Sequence, residues 1–298
     1  MKRRAQCSAG APLSVFPRFV EYALSRGLGT ISVKMAGEQP EPQEFSRFSG
    51  TFTRIGRKLA TGSHQNPSPM TEKVIFFDID GTLLNTGGAG QRAMERALTA
   101  EFQIDFPFDG VLTAGRTDRG ITDEILERYS FDNTAQNRAR FQEAYLAQLP
   151  MSLRDSPGLL LPKIRELLEQ LSLHGHVTLS LLTGNYAEGA WIKLRHYELD
   201  HFFQFGGFGD HDANRNNVAQ VAIEVASREL DRAVDGSETM VIGDTPADIQ
   251  CAQAIGAKCV AVATGVYSSI ELEPYNPDHL FEDFADTDKV VERILAML

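Results

Sequence analysis

Cysteine is scarce in this sequence. Cys7, Cys251 and Cys259 are the only three, and none stands in a C-x-x-C pair, so neither a disulfide framework nor a zinc site is indicated. No apolar run approaches the roughly 20 residues needed to span a bilayer. Net positive charge is missing too. The formal charge is −11, which disfavours nucleic acid as a partner unless a local basic patch is present. These absences predict a protein of the reducing cytoplasm with no membrane and no nucleic-acid partner, while monomer and homodimer stay open.

The charge is uneven. Residues 1–69 carry ten Lys/Arg and four Glu, leaving 19 basic and 36 acidic residues for the remainder. The same stretch is rich in Gly, Pro, Ser and Gln, as in Glu38-Gln39-Pro40-Glu41-Pro42-Gln43, a composition that rarely supports a packed core. Residues 1–70 are therefore expected to be a disordered or dispensable tail, or to precede a true start at Met70. A targeting segment is the third reading, favoured by the Arg-rich start and opposed by the lack of an apolar stretch.

What is present begins at Val74-Ile75-Phe76-Phe77, an apolar run suited to a central strand covered on both faces. It breaks into Asp78-Ile79-Asp80-Gly81-Thr82. Two acids at the carboxyl end of a buried strand are costly unless a cation or a hydrogen-bond network takes them up. In an open parallel sheet that edge is where ligands bind. Asp-Gly is also a common turn dipeptide, so the pieces downstream decide.

Beyond Gly87-Gly88-Ala89-Gly90, apolar spacing predicts helices over 91–102, from about Asp118 to Tyr129 with Thr117 or Asp118 as cap, and over 133–149. Residues 88–155 thus read as an all-helical insertion, closed by Ser156-Pro157-Gly158. Strand–helix alternation then resumes. A helix is expected over 159–173 and a strand over 177–182 ending in Thr183-Gly184-Asn185. Another helix spans 188–197, a short strand lies near 202–205, and a helix opens at Arg215. A strand over 239–242 ends in Gly243-Asp244-Thr245-Pro246-Ala247-Asp248, followed by a helix, a strand over 259–263 and a closing helix over 289–297. This order predicts an α/β fold, a three-layer Rossmann-like parallel sheet. The expected core is residues 71–87 and 156–298, and the helical cap is 88–155.

Three strands now end in polar residues at one edge: Asp78/Asp80, Thr183 and Asp244. With Arg215 at a helix start, the set suits phosphoryl transfer. A carboxylate attacks phosphorus, a hydroxyl and a cation hold the phosphoryl oxygens, and acids hold Mg²⁺.

The motifs and their order resemble the haloacid dehalogenase superfamily, in particular its phosphoglycolate phosphatase-like members with a helical cap. The resemblance spans about residues 73–298. It implies Asp78 as nucleophile forming an aspartyl-phosphate, and Asp80 as general acid and then base. Thr183, with Gly184 and Asn185 of its motif, would bind phosphate. Asp244 would hold Mg²⁺, with Asp248 as a further ligand or a group that orients the ligands. Asp78 and Asp80 complete the metal set, Asp80 through its backbone carbonyl. The third motif departs from the usual lysine: Arg215-Asn216-Asn217 opens the corresponding helix, and Arg215 takes the phosphate-binding role. Lys193 is the alternative, but mid-helix it reads as a solvated lysine. Arg116 and Asp118 fall where capped relatives carry substrate-selecting residues, against the plainer reading of Arg116 as a surface arginine. The expected activity is a Mg²⁺-dependent phosphatase acting on a small phosphorylated metabolite. A phosphomutase of the β-phosphoglucomutase type is the alternative. A phosphorylatable receiver-like module is disfavoured, since its aspartate would lie on a later strand. Hydrolysing a phosphate ester needs a proton for the leaving alkoxide, and the resemblance implies that dehalogenases lack the second acid, so Asp80 speaks against a dehalogenase.

Overall fold

The computed structural model describes residues 72–104 and 111–298. The tail expected over 1–70 lies outside the described residues. In chain order the first elements are β1 (Lys73–Phe77), β2 (Leu84–Asn85), α1 (Ala89–Phe102), α2 (Asp118–Arg128), α3 (Ala135–Arg154) and β3 (Leu159–Leu160). Next come α4 (Ile164–Ser172), β4 (Val177–Leu182), α5 (Ala187–His196), β5 (Gly206–Gly207), α6 (Arg215–Glu229) and β6 (Thr239–Gly243). The chain ends with α7 (Pro246–Ile255), β7 (Lys258–Val262), the short α8 (Ser269–Leu272), β8 (His279–Phe281) and α9 (Thr287–Met297). No helix among the described residues is long and apolar enough to cross a membrane.

The main sheet has six strands in the order β5-β4-β1-β6-β7-β8, every pairing parallel. The apolar run of β1 sits at its centre, and Val74 through Phe77 are fully buried. Alternation along the strand sends Ile75 and Phe77 into one layer, with Leu167 and Leu171 of α4, Leu194 of α5 and Ile294 of α9. Val74 and Phe76 face the other, with Val218 and Ala222 of α6 and Ile249 and Ala252 of α7. A sheet covered on both faces is the expected three-layer α/β core.

Helices α1, α2 and α3 lie between β2 and β3. They share a separate apolar cluster that includes Ala93, Leu98, Ile125, Phe141 and Tyr145 and reaches Tyr186 beyond β4. Where the chain leaves and re-enters the α/β layers it is tied by an antiparallel pair, Leu84 with Leu160 and Asn85 with Leu159. This pairing corrects the expected helix over 159–173, whose first two residues are strand. Helix α4 begins only after Pro162, from Lys163 in the left-handed region (φ 63°), because a residue before proline is kept out of helical geometry. The expected helix over 133–149 runs on through Pro150 to Arg154, its last turns held by buried Leu149 and Leu153. The strand expected at 202–205 falls on Gly206–Gly207, next to a 3₁₀ turn over Asp200–Phe202.

The first turn of α2 docks on the loop after β4. Asp118 N donates to the Gly184 carbonyl (2.7 Å) and Arg119 N to that of Gly209 (3.2 Å). Tyr186 N donates to the Asp118 carboxylate at 2.8 Å. This approach needs glycine at 184, where a Cβ would overlap the Arg116 carbonyl oxygen. Gly184→Ala is therefore expected to lower the unfolding free energy by about 1–3 kcal/mol, the usual cost of overpacking, measured by urea denaturation. Unchanged stability would show that α2 can withdraw from this loop at no cost.

Candidate active site

Strand ends assemble the site. Asp78 follows β1, and its backbone N–H donates to the Ile242 carbonyl of β6 at 3.0 Å, which brings the two strand ends together. Asp244 follows β6, and its Oδ1 accepts from Thr82 Oγ1 at 2.9 Å. Gly81, at φ +86°, lets the first loop pass this carboxylate, since a Cβ there would fall on it. Asp248 is the third residue of α7. It closes the helix start by accepting from Thr245 N (3.0 Å) and Thr245 Oγ1 (2.7 Å).

Asp78, Asp244 and Asp248 are all buried, and each offers a carboxylate oxygen within 4.8 Å of the others. Arg215, the first residue of α6, enters this group. Its Nη2 lies 2.5 Å from Asp248 Oδ1 and 2.9 Å from Asp78 Oδ1. One guanidinium does not balance three acids in a dry site. Burial, then Asp248 and Asp80, push Asp78 up to about 6 despite the opposing pull of Arg215. Burial, Asp248 and Asp78 raise Asp244 well above the usual carboxylate range. Burial works against the Arg215 charge, but Asp248 and Asp78 outweigh it and hold the group firmly protonated. An oxygen-only, electron-rich set of this kind fits a hard divalent cation.

The side chain of Asp80, counted above among the metal-holding acids, lies outside this cluster. Its Oδ2 accepts from Lys193 Nζ at 2.5 Å and from Asn185 Nδ2 at 2.9 Å. Asn185 Nδ2 also donates to Thr183 Oγ1 (2.7 Å), and Lys193 Nζ donates to Asn185 Oδ1 (2.6 Å). The reading of Lys193 as solvated is therefore corrected: it is 4% exposed and sits within the site. The signal was present, because Ala190, Lys193 and Leu194 share the buried face of α5.

A cavity of about 350 Å³ opens over these groups, lined on the α/β side by Asp78, Asp80, Thr183 and Asp244. On the helical side Gln91, Met94, Arg116, Asp118 and Tyr145 line it. The Arg116 guanidinium is engaged, by Glu124 and by the carbonyls of Leu112 and Gly120 (both 3.1 Å). Asp118 is buried. Burial raises it to about 6 against the opposing charge of Lys193 and the bond from Tyr186 N.

A family model described as haloacid dehalogenase-like hydrolase matches residues 75–262. The chain belongs to the haloacid dehalogenase-like hydrolases. Among curated relatives of this hydrolase is the phosphoglycolate phosphatase of Mannheimia succiniciproducens, 28% identical over 231 residues, 74% of this chain and 98% of the relative. The glyceraldehyde 3-phosphate phosphatase of Pyrococcus furiosus is 25% identical over 233 residues, covering 74% and 93%. The crystal structure of CbbY from Rhodobacter sphaeroides in complex with phosphate matches the fold with a TM-score of 0.58 at 20% identity, covering 72% of this chain and 96% of that one.

Burial of Asp118 makes this hydrolase sensitive to pH. Its folded pKa, raised from 3.8 to about 6, means that the folded state keeps a proton the unfolded state releases. The stability it contributes is present below about pH 4 and is lost as pH rises through about 6. At about 1.4 kcal/mol per unit the loss is on the order of 3 kcal/mol. Asn at 118 keeps an acceptor for Tyr186 N but has no charge to bury. In chelator-treated protein, Asp118→Asn is expected to gain stability on wild type by about that amount between pH 4 and 7, read by urea unfolding. A stability difference that is constant with pH would contradict the burial argument.

Proposed function

We propose that this hydrolase cleaves the phosphate monoester of a small metabolite, of the phosphoglycolate kind, through an aspartyl-phosphate on Asp78 with Mg²⁺ as cofactor. The observation that carries the reading is the division of labour between the two acids of one loop. Asp78 is buried between Arg215 and two further carboxylates, while Asp80 is turned away onto Lys193 and Asn185, at the cavity wall. In this reading the acid against the charge cluster attacks phosphorus, and the acid turned away serves the leaving group. Nucleophile and proton donor need such separate surroundings.

In this reading an Asp78 oxygen attacks phosphorus, and the bond to the ester oxygen breaks. The departing alcohol takes a proton from Asp80. Water then attacks the phosphorus of the aspartyl-phosphate and gives a proton to Asp80, which releases inorganic phosphate and restores Asp78. Thr183 holds phosphoryl oxygens by its hydroxyl, Gly184 and Asn185 by backbone N–H groups, and Arg215 by its guanidinium. Asp78, Asp244 and the backbone carbonyl of Asp80 hold Mg²⁺. The oxygens of Asp248 are already bonded to Thr245 and Arg215, so it orients the set. When bound, the cation offsets charge on the phosphoryl oxygens and on the crowded acids.

Residues 88–155 act as a cap over a core of 71–87 and 156–298, joined through the β2–β3 pair. Arg116 and Asp118 put cap groups on the cavity wall, where they select the remainder of the substrate. An anion seeking Arg116 competes there with Glu124.

Asp78→Asn is expected to abolish phosphate release while leaving stability equal or higher, since it removes a buried charge from an acidic cluster. Residual turnover above about 1% in clean protein would rule out the nucleophile assignment. Chelation is expected to silence the wild type, and Mg²⁺ to restore it better than Ca²⁺, which takes longer bonds and more ligands. Inorganic phosphate should appear in step with the free alcohol. Isomerised phosphate ester without free phosphate would instead show a mutase.

A further inference from the structure

We infer that Lys193 is a positioning residue for Asp80, a clamp that fixes the proton-transferring carboxyl towards the leaving group. The inference rests on the reading of Asp80 given above and adds a residue from outside the sequence motifs.

Lys193 is a buried ammonium whose ion-pair partner among the described residues is Asp80. A buried charge is costly unless paired and hydrogen-bonded, and both conditions are met on one side of Asp80. The bonds from Lys193 (2.5 Å) and Asn185 (2.9 Å) converge on the same oxygen, Oδ2. Asn185 is itself fixed by Thr183 Oγ1 and by the second Lys193 bond, so the clamp closes on itself. Oδ1 of Asp80 has no partner among the described residues. Its side chain is 39% exposed, on the wall of the cavity. The clamp therefore fixes which oxygen points at substrate. Helix α1 passes over the ammonium at Gly90, where a Cβ would lie at ordinary contact distance, 3.7 Å, from Nζ.

A residue that holds phosphate matters equally for every phosphate ester. One that orients Asp80 bears on the later attack of water for every ester, but on the first step, release of the alcohol, only where the leaving group needs a proton. The variant Lys193→Met keeps length and burial but removes both the charge and the bond to Oδ2. The probes are p-nitrophenyl phosphate, whose leaving group departs without a proton, and 2-phosphoglycolate or glyceraldehyde 3-phosphate, whichever the wild type turns over faster. The quantity read is the single-turnover rate of leaving-group release, which precedes the attack of water. The expected result is a rate about 10- to 100-fold lower on the alkyl ester, the scale of a misplaced catalytic group, and within about 3-fold of wild type on the aryl ester. Equal loss on both, or no loss on either, overturns the inference.

Asp80→Asn, run in parallel, separates this from the underlying reading. If Asp80→Asn shows the split between esters and Lys193→Met does not, the clamp fails alone. If Asp80→Asn shows no split, the role of Asp80 fails. Should the Met variant not fold, Lys193→Arg takes its place, because it keeps the charge but displaces the donor, and the same split is expected.

Discussion

Burial of like charge is the constraint on which this structure turns. Asp78, Asp244 and Asp248 offer oxygens within 4.8 Å of one another at the carboxyl edge of the sheet, with one guanidinium among them. A folded chain holds such a set only where the surrounding structure is strong enough to force it. Here the force comes from β1 and β6. They run side by side at the centre of the sheet with apolar layers on both faces. The acids stand where those strands stop, so the packing that stabilises the core also sets the distance between Asp78 and Asp244.

The other features of the site follow from managing that charge. Asp248 is drawn into the start of α7 and onto Arg215. Asp80, two residues after Asp78, is turned out of the crowd and held by Lys193 and Asn185. Two acids from one loop thus have different surroundings, which is the ordinary way for a fold to give neighbouring carboxyls different work. The helices between β2 and β3 bring the opposite wall of the cavity, with a fourth buried acid, Asp118, fastened to the loop after β4.

Much of this was legible in the sequence because the strands that carry the site are short, apolar and abruptly ended. Val74 to Phe77 announces a central strand, and the polar residues that follow β1, β4 and β6 fall at one edge once the sheet is known to be parallel. What the sequence concealed was tertiary in origin. Lys193 looked solvated because lysine usually is, although its place beside Ala190 and Leu194 put it on the buried face of α5. The edge strand was expected among the phenylalanines near 202–205. Pairing falls instead on Gly206 and Gly207, where a Cβ would press on Leu181 and Ala222, and glycine carries no strand pattern to read. The Leu159–Leu160 strand is equally silent, since two residues have no periodicity of their own. Arg116 gave no hint of Glu124, eight residues away across the first turns of α2.

The central claim is that Asp78 attacks phosphorus with its own carboxylate oxygen. Turnover in water enriched with heavy oxygen does not decide it, because attack on the substrate and attack on an aspartyl-phosphate label the product alike. Solvent attack at phosphorus leaves the label in inorganic phosphate. Across many turnovers the carboxylate stays unlabelled if water never strikes the acyl carbon, so the decisive measurement is the peptide itself. Acid-quenched enzyme, caught during turnover of a phosphate ester, is digested and the peptide containing Asp78 is weighed by mass spectrometry. The account expects a phosphoryl group on Asp78 that is lost on treatment with hydroxylamine. A phosphoryl group on any other residue, or turnover at full rate with none on Asp78, would contradict it.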